Sequence, residues 1–161
     1  MTVFSVDAPN AWSLMTEFKV IDRGRVPTKK DIWGAWSDRW IDAIKAASQA
    51  NIIGIEGVHI RSYGKEEPYI RTAKQRSALV LQRRAGIIEG LCRAYRPGVR
   101  IEIVDTGDWR KTNGLSESWG RDRLKAAAIQ RVQQLYGLTV THDEADAILI
   151  GRHLAIAGGT E

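Results

Sequence analysis

Residues 125–151 read KAAAIQRVQQLYGLTVTHDEADAILIG, and this stretch decides how the chain is expected to fold. It predicts two helices, of which the first ends at Gly137, a residue suited to the left-handed conformation that often follows a helix. The second begins near Asp143. Because Asp143 and Asp146 are three residues apart, they share one helix face close to its N-terminus.

Two further acids end apolar runs far from this stretch. Asp7 ends VFSVD (3–7), and Glu56 ends NIIGIE (51–56). A carboxylate at the end of a buried strand is costly unless something neutralises it. Several converging carboxylates repel one another, and a divalent cation is the usual means of holding them together. The four acids therefore indicate metal-dependent phosphodiester chemistry.

The remaining segments predict one mixed α/β domain over residues 1–161 with the order βββαβαβαα. Strands are expected at TVFSVD (2–7), SLMTE (13–17), FKVIDRGRV (18–26), NIIGIEGV (51–58) and RIEIVD (100–105), the first three as an antiparallel meander. Helices are expected from a Thr28 cap to about Ala50, from about Thr72 to Tyr95, from about Trp119 to Tyr136, and from near Asp143 to before Gly158. Segments 59–71 and 106–118 are expected to be loops.

Composition describes an ordinary globular protein, with 43% hydrophobic and 27% charged residues. No apolar run approaches the roughly 20 residues that span a bilayer, and MTVFSVDAPN lacks the basic start of a signal peptide. The single cysteine, Cys92, lies in the apolar sequence IIEGLCRAY, which favours a buried core residue. A reducing cytoplasm, in a bacterial or phage-infected cell, is the expected location.

The net charge is +5, from 24 Lys and Arg against 19 acids, and its distribution favours a nucleic-acid partner. The basic residues form two groups that exclude the four acids, so a positive surface is expected around a small acidic centre. The first group is Arg61, Lys65, Arg71, Lys74, Arg76, Arg83 and Arg84, and the second is Arg110, Lys111, Arg121, Arg123 and Lys125.

The order of the predicted elements, with the acids at these points, resembles that of the ribonuclease-H-like fold. The resemblance is most specific to the RuvC-type Holliday junction resolvases. The resemblance lies in FSVDAP (4–9), IGIEGV (53–58) and the stretch 125–151. In that family the first-strand Asp precedes Pro and Gly, whereas here Ala8, Pro9 and Asn10 follow it, which changes the turn and keeps the acid. The resemblance implies a mixed five-stranded sheet, with three antiparallel strands and then two parallel ones, flanked by helices.

The resemblance also implies a structure-selective endonuclease that resolves four-way DNA junctions by paired symmetric nicks as a homodimer. Asp7, Glu56, Asp143 and Asp146 would hold two Mg²⁺ ions per active site, with Mn²⁺ as a possible substitute, and Lys125 would stabilise the developing phosphate charge. Asp7 would bridge both ions. Two alternatives stay open: another ribonuclease-H-like nuclease acting on branched DNA, flaps or RNA–DNA hybrids, and a non-catalytic binding module with a relic site. No branch-migration partner is identified.

Contacts with DNA are expected from two segments. His59 takes the place of a family aromatic that helps to open base pairs, and Tyr63 or Tyr69 either stacks on an unpaired base or only anchors the loop. Phosphate contacts are expected from Arg61, Lys65, Arg71, Lys74 and Arg76, and further DNA contacts from Trp109, Arg110 and Lys111.

Several of these residues also have plainer interpretations. Asp143 alone would serve as a helix cap, and His142 is either an assisting base or, as we favour, a loop residue. The tryptophans at 33, 36 and 40 lie on one helix face and favour core packing over a partner surface. The stripe Leu79, Ala85, Ile88 and Leu91 suits either a core or a dimer interface.

Overall fold

The computed structural model describes residues 1–7, 9–26, 33–57 and 68–159, with the side chains of all of these except 33, 34, 68–72 and 74. The strands are β1 (Thr2–Asp7), β2 (Ala11–Thr16), β3 (Lys19–Arg25), β4 (Ile52–Glu56) and β5 (Arg100–Val104). The helices are α1 (Trp33–Ala46), α2 (Pro68–Tyr95), α3 (Thr106–Thr112), α4 (Arg121–Tyr136) and α5 (His142–Gly158).

The five strands form one mixed sheet in the order β3-β2-β1-β4-β5. β1 pairs antiparallel with β2, and β2 with β3, whereas β1–β4 and β4–β5 are parallel. This is the predicted arrangement of three antiparallel strands followed by two parallel ones. Because β1 and β4 run side by side in the same direction, their last residues, Asp7 and Glu56, lie at the same edge of the sheet.

The predicted element order omits one helix. The segment 106–118 was expected to be a loop, but its first seven residues form α3. Asp105 begins that helix, because its side chain accepts a hydrogen bond from the Gly107 amide at 2.7 Å. The stretch that forms this helix is only seven residues long and directly follows a strand. Gly107 and the neighbouring polar residues therefore suggested a turn.

Helix α2 also begins earlier than expected, at Pro68 inside the predicted loop 59–71, and proline is well tolerated in the first turn of a helix. Strand β2 begins at Ala11 rather than Ser13. The predicted Thr28 cap of the first helix lies outside the described residues. Gly137 ends α4 with φ of 68°, as predicted, and its amide donates to the Gln133 carbonyl.

One face of the sheet is covered by α1 and α2. Trp36 and Trp40 are buried there with Ile53 and Ile88, which confirms that these two tryptophans are core residues. Cys92 belongs to the same cluster, and burial raises the pKa of its thiol to about 12. Of the α2 stripe, Ile88 is buried, whereas Leu79 is 53% exposed.

The other face is covered by α3, α4 and α5, with α5 lying directly on β1 and β2. Its apolar residues from Ala147 to Ile150 are fully buried. The helix approaches the sheet closely at Gly151, where an added Cβ would meet the Ser5 Oγ at 2.7 Å. Ser5 Oγ instead donates to the Ala147 carbonyl at 2.7 Å and bonds Ser13 Oγ at 2.7 Å. This contact sets the position of the N-terminal half of α5 against the end of β1.

Among the described helices, none combines the length and the apolar character that a membrane span requires.

Candidate active site

A cavity of about 560 Å³ opens where β1 and β4 end and α5 begins. All five residues predicted to be catalytic line it, although they come from four different elements. Apolar and basic side chains from α2, α3, α4 and the α3–α4 connection complete the wall. The lining residues are Asp7, Asn10, Glu56, Leu81, Trp109, Arg110, Leu115, Glu117, Trp119, Arg121, Leu124, Lys125, His142, Asp143 and Asp146.

Asp7 is buried, with only 8% of its surface exposed. Burial, followed by the negative charges of Glu56, Asp146 and Asp143, raises its pKa well above the usual value, and so does a side-chain hydrogen bond to Glu56. Asp7 is therefore close enough to the other three acids to interact strongly with them. In the absence of a cation, these neighbours favour the protonated form of the Asp7 carboxyl.

Glu56 is held from the side by two residues around α3. Thr106 Oγ1 and Trp109 Nε1 each donate to Glu56 Oε1 at 3.2 Å. Trp109 is only 1% exposed, so its indole is a rigid donor. The Glu56 carboxylate is thereby directed at the cavity by two fixed hydrogen bonds.

Asp143 is the second residue of α5 and does not cap it. The cap is Thr141, which forms a capping box with Glu144: the Thr141 side chain accepts from the Glu144 amide, and the Glu144 side chain accepts from the Thr141 amide. Asp143 instead receives Arg25 Nη2 at 3.1 Å on Oδ2 and His142 Nε2 at 2.9 Å on Oδ1. His142 is thus a helical residue rather than the expected loop residue.

Asp146 lies one helical turn farther along α5 and faces the same cavity. Burial and the charge of Glu56 raise its pKa to about 7, with a smaller contribution from Asp143, while Arg110 and Lys125 act in the opposite direction. A cation that enters the cavity would stabilise the ionised form of this carboxyl group. It would do so because its positive charge offsets the repulsion from Glu56 and Asp143 that now favours the protonated form.

The donor set fits a hard divalent cation, since carboxylate oxygens are the ligands that Mg²⁺ prefers. Among the described residues, however, no three acidic, histidine or cysteine side chains converge on one point that would hold a metal ion as they stand. Asp7 instead has a side-chain hydrogen bond with Glu56, and the two Asp143 oxygens contact Arg25 and His142. Binding would require these carboxylates to exchange such partners for the cation.

The predicted DNA contacts are distributed more widely. His59, Arg61, Tyr63 and Lys65 lie outside the described residues, as do the side chains of Tyr69, Arg71 and Lys74. Arg76 is exposed on α2, and Lys111 is exposed outside the cavity beside Asp108. Arg110 lines the cavity itself.

The expectation for Trp109 needs correction. It was predicted to lie in a loop near DNA, but it is a buried residue of α3 and packs in the core beneath α5. The one polar atom of its side chain, Nε1, donates a hydrogen bond to Glu56. A tryptophan in a polar segment suggested a surface contact, because the short helix that turns it inward was not recognised.

Sequence reasoning missed several residues that line the cavity or contact its acids. Arg25 is on β3, which carried no motif, and its pairing with Asp143 joins residues 118 positions apart. Arg121 was assigned only to a basic group, and Leu81, Glu117 and Trp119 were not selected at all. The one available signal was the density of charged and aromatic residues in 117–125, directly before the helix of Lys125.

The fold defined by this sheet and these helices is ribonuclease-H-like. Two structures of Thermus thermophilus RuvC superpose on it, one in complex with a Holliday junction substrate (TM-score 0.59) and one described simply as a RuvC structure (TM-score 0.57). Each is 13% identical in sequence, and the match covers 99% of this chain and 96% of the other. No protein-family model and no curated protein matches the sequence. At this identity the likeness establishes the fold, as the sequence resemblance predicted.

Proposed function

We propose that the chain is a divalent-metal-dependent, structure-selective endonuclease that resolves four-way DNA junctions by paired symmetric nicks. One observation carries this proposal: Asp7, Glu56, Asp143 and Asp146, from two strands and a helix, face one cavity together with basic side chains. The complex of a similarly folded RuvC with a Holliday junction supports the choice of substrate. Recombination and repair would then be the process it serves.

The metal is Mg²⁺ in this proposal, with Mn²⁺ as a substitute and two ions per site, and the four acids would hold it. Two such ions supply an activated water and stabilise the leaving oxygen of an in-line displacement. The protein's own residues bind and orient the DNA. Lys125 and Arg110 line the cavity with positive charge that offsets a phosphate, and Thr106 and Trp109 orient Glu56.

A homodimer belongs to the same proposal, because a four-way junction has two-fold symmetry and needs two matched nicks. On α2, Leu79 and Val80 are 53% and 47% exposed, so apolar surface is present for a second copy. We further propose that the enzyme acts in the cytoplasm of a bacterial or phage-infected cell.

A panel of labelled substrates tests the activity: a four-way junction, a flap, an RNA–DNA hybrid and a plain duplex, each with Mg²⁺. We expect nicks at symmetric positions in opposite strands of the junction and little cutting of the duplex. Preference for the hybrid or the flap would replace this proposal with another ribonuclease-H-like activity. No cutting of any substrate would favour a binding module.

Single substitutions test whether each acid has the proposed catalytic role. Asp7→Asn and Glu56→Gln are expected to abolish cutting while junction binding survives, because they remove metal-ligand charge and leave the basic surface unchanged. Glu89→Gln is the matched control, since Glu89 pairs with Arg93 on α2 and does not line the cavity. Lys125→Ala should slow cutting more than it weakens binding. Near-normal cutting by Asp7→Asn would show that this acid is wrongly assigned.

A further inference from the structure

We propose that the cavity contains a nucleobase subsite beside its acids, in which Trp119 stacks on a base and Glu117 accepts a hydrogen bond from that base. The proposal deepens the function above and rests on it, because the base belongs to the nucleotide whose phosphate lies at the acids. It gives the enzyme a means of choosing where it cuts.

The cavity has two chemically different parts. Its acidic part is built from the ends of β1 and β4 and the start of α5. A second wall comes from one short segment, residues 115–124, where the apolar side chains of Leu115, Trp119 and Leu124 line the cavity beside the charged Glu117 and Arg121. The acids at the strand ends are suited to binding cations beside a phosphate, and the aromatic and apolar side chains offer a surface on which a base can stack. A nucleotide satisfies both parts at once, since its phosphate and base are joined through one sugar.

Trp119 is held in place by its neighbours and lines the cavity. Its ring packs on the core cluster beneath α5, and its amide donates to the Ser116 carbonyl at 3.1 Å. The Arg123 guanidinium lies 4.4 Å from the ring centroid, a cation–π contact. An indole that is already fixed loses little freedom when a base stacks on it.

Glu117 supplies an acceptor on the same wall. Its carboxylate has no hydrogen-bond or ion-pair partner in the described part of the chain, and its side chain reaches toward α3, where an added Cβ on Gly107 would meet Glu117 Oε1. A carboxylate accepts hydrogens and cannot donate them. It therefore favours a base with an exocyclic amino group, which adenine, cytosine and guanine carry and thymine lacks.

The test measures base stacking apart from cutting. Junctions carry 2-aminopurine, whose fluorescence is quenched on stacking, at single positions around the crossover, and they are titrated with protein in EDTA. Wild-type protein should change the fluorescence at one position. Trp119→Leu keeps apolar bulk in the core but lacks the ring, and should abolish that change and weaken binding by roughly 5-fold to 150-fold, the value of one base–aromatic stack.

Two further variants separate stacking from structure. Trp119→Phe keeps a smaller aromatic face and should retain most of the signal. Tyr95→Ala is the matched control, because Tyr95 is an exposed aromatic that also carries a stacked cation, Lys45, and does not line the cavity. Melting curves establish that each variant is folded. Glu117→Gln should relax the preference against thymine when nick positions are mapped on junctions with randomised crossovers.

Each outcome has one meaning. If Trp119→Leu is folded and gives the wild-type fluorescence change, or if the wild-type protein changes fluorescence at no position, the subsite does not exist. If the position-specific change is lost in Trp119→Leu but no DNA is cut in Mg²⁺, the subsite stands and the proposed nuclease activity fails. An unaltered nick pattern in Glu117→Gln would remove the acceptor role of Glu117.

Discussion

The raised pKa of Asp146 makes the stability of the folded protein depend on pH. In the unfolded chain it loses its proton near pH 3.8, but burial and Glu56 hold the proton in the folded protein up to pH about 7. Between these values the folded state binds more protons than the unfolded state. Stability therefore falls as the pH rises from about 4 to about 7, and it stays at the lower level above that range.

Removing this charge should stabilise the metal-free protein. Asp146→Asn is expected to raise the free energy of unfolding at pH 8 by roughly 1–3 kcal/mol, because each unit of pKa shift is worth about 1.4 kcal/mol. Urea unfolding in EDTA at pH 5 and pH 8 measures the effect. The exposed Asp42→Asn on α1 is the control. A variant that is less stable than the wild type at pH 8 would contradict the expectation.

Thr106 acts through Glu56, to which its hydroxyl donates at 3.2 Å. Thr106→Val keeps the shape and removes the donor, so the carboxylate is oriented less firmly. We expect Mn²⁺ affinity, measured by electron paramagnetic resonance, to fall by about 10-fold, as is common when a residue supporting a metal ligand is lost. The cost in stability should stay near 1 kcal/mol. The exposed Thr139→Val should bind Mn²⁺ normally.

At the level of elements, the contact between α5 and the sheet decides whether the acids meet. Ser5 on β1 lies two residues before Asp7, and Ala147 on α5 directly follows Asp146. The bond from Ser5 Oγ to the Ala147 carbonyl thus ties the two carboxylates to each other through one buried contact. Gly151 leaves the space in which this bond forms.

Gly151→Ala should therefore disturb the site from a distance. The new Cβ would stand 2.7 Å from Ser5 Oγ and force α5 away from β1, which we expect to cost about 1–3 kcal/mol of stability and to weaken Mn²⁺ binding. Adding Ser5→Ala removes the clash and leaves a normal contact at 3.4 Å. It should restore part of both losses, because it also removes the Ser5 bond to the Ala147 carbonyl.

Gly86→Ala is the control for this pair of variants, because an added Cβ at Gly86 meets nothing within 4 Å. It should be neutral or stabilise by up to about 1 kcal/mol, through helix propensity alone. Failure of Ser5→Ala to rescue Gly151→Ala in denaturant melts would show that the two residues are not coupled.

For the whole molecule, we expect charge to govern the proposed binding to DNA. The net charge is +5, and Arg110, Arg121 and Lys125 stand around the acidic cavity. Contacts with phosphates release counterions, so junction affinity should fall at least about 10-fold between 50 and 200 mM salt. Lys125→Ala should lower the slope of log affinity against log salt by about one. Lys45→Ala, outside the cavity, should leave that slope unchanged when measured by fluorescence anisotropy.

Much of the fold could be predicted from the spacing of apolar residues and from the residues that end helices and strands. The apolar runs of β1 and β4 and the Gly137 stop predicted those elements because local preferences agreed with the final packing. Helix α3 was missed because seven residues with a Gly near their start carry little periodicity. The inward turn of Trp109 depends on that helix and was missed with it.

The sequence by itself determined where the acids stand: Asp7 and Glu56 at the ends of apolar strands, and Asp143 and Asp146 on one face near the start of the last helix. These follow from local patterns, since strand ends and helix starts are encoded by neighbouring residues. Only the tertiary structure decided the partners of these acids, namely Arg25 for Asp143 and Thr106 and Trp109 for Glu56, and brought Trp119 into the same cavity. Such contacts join residues distant in the chain, and they depend on the packing of whole elements, which no local pattern records.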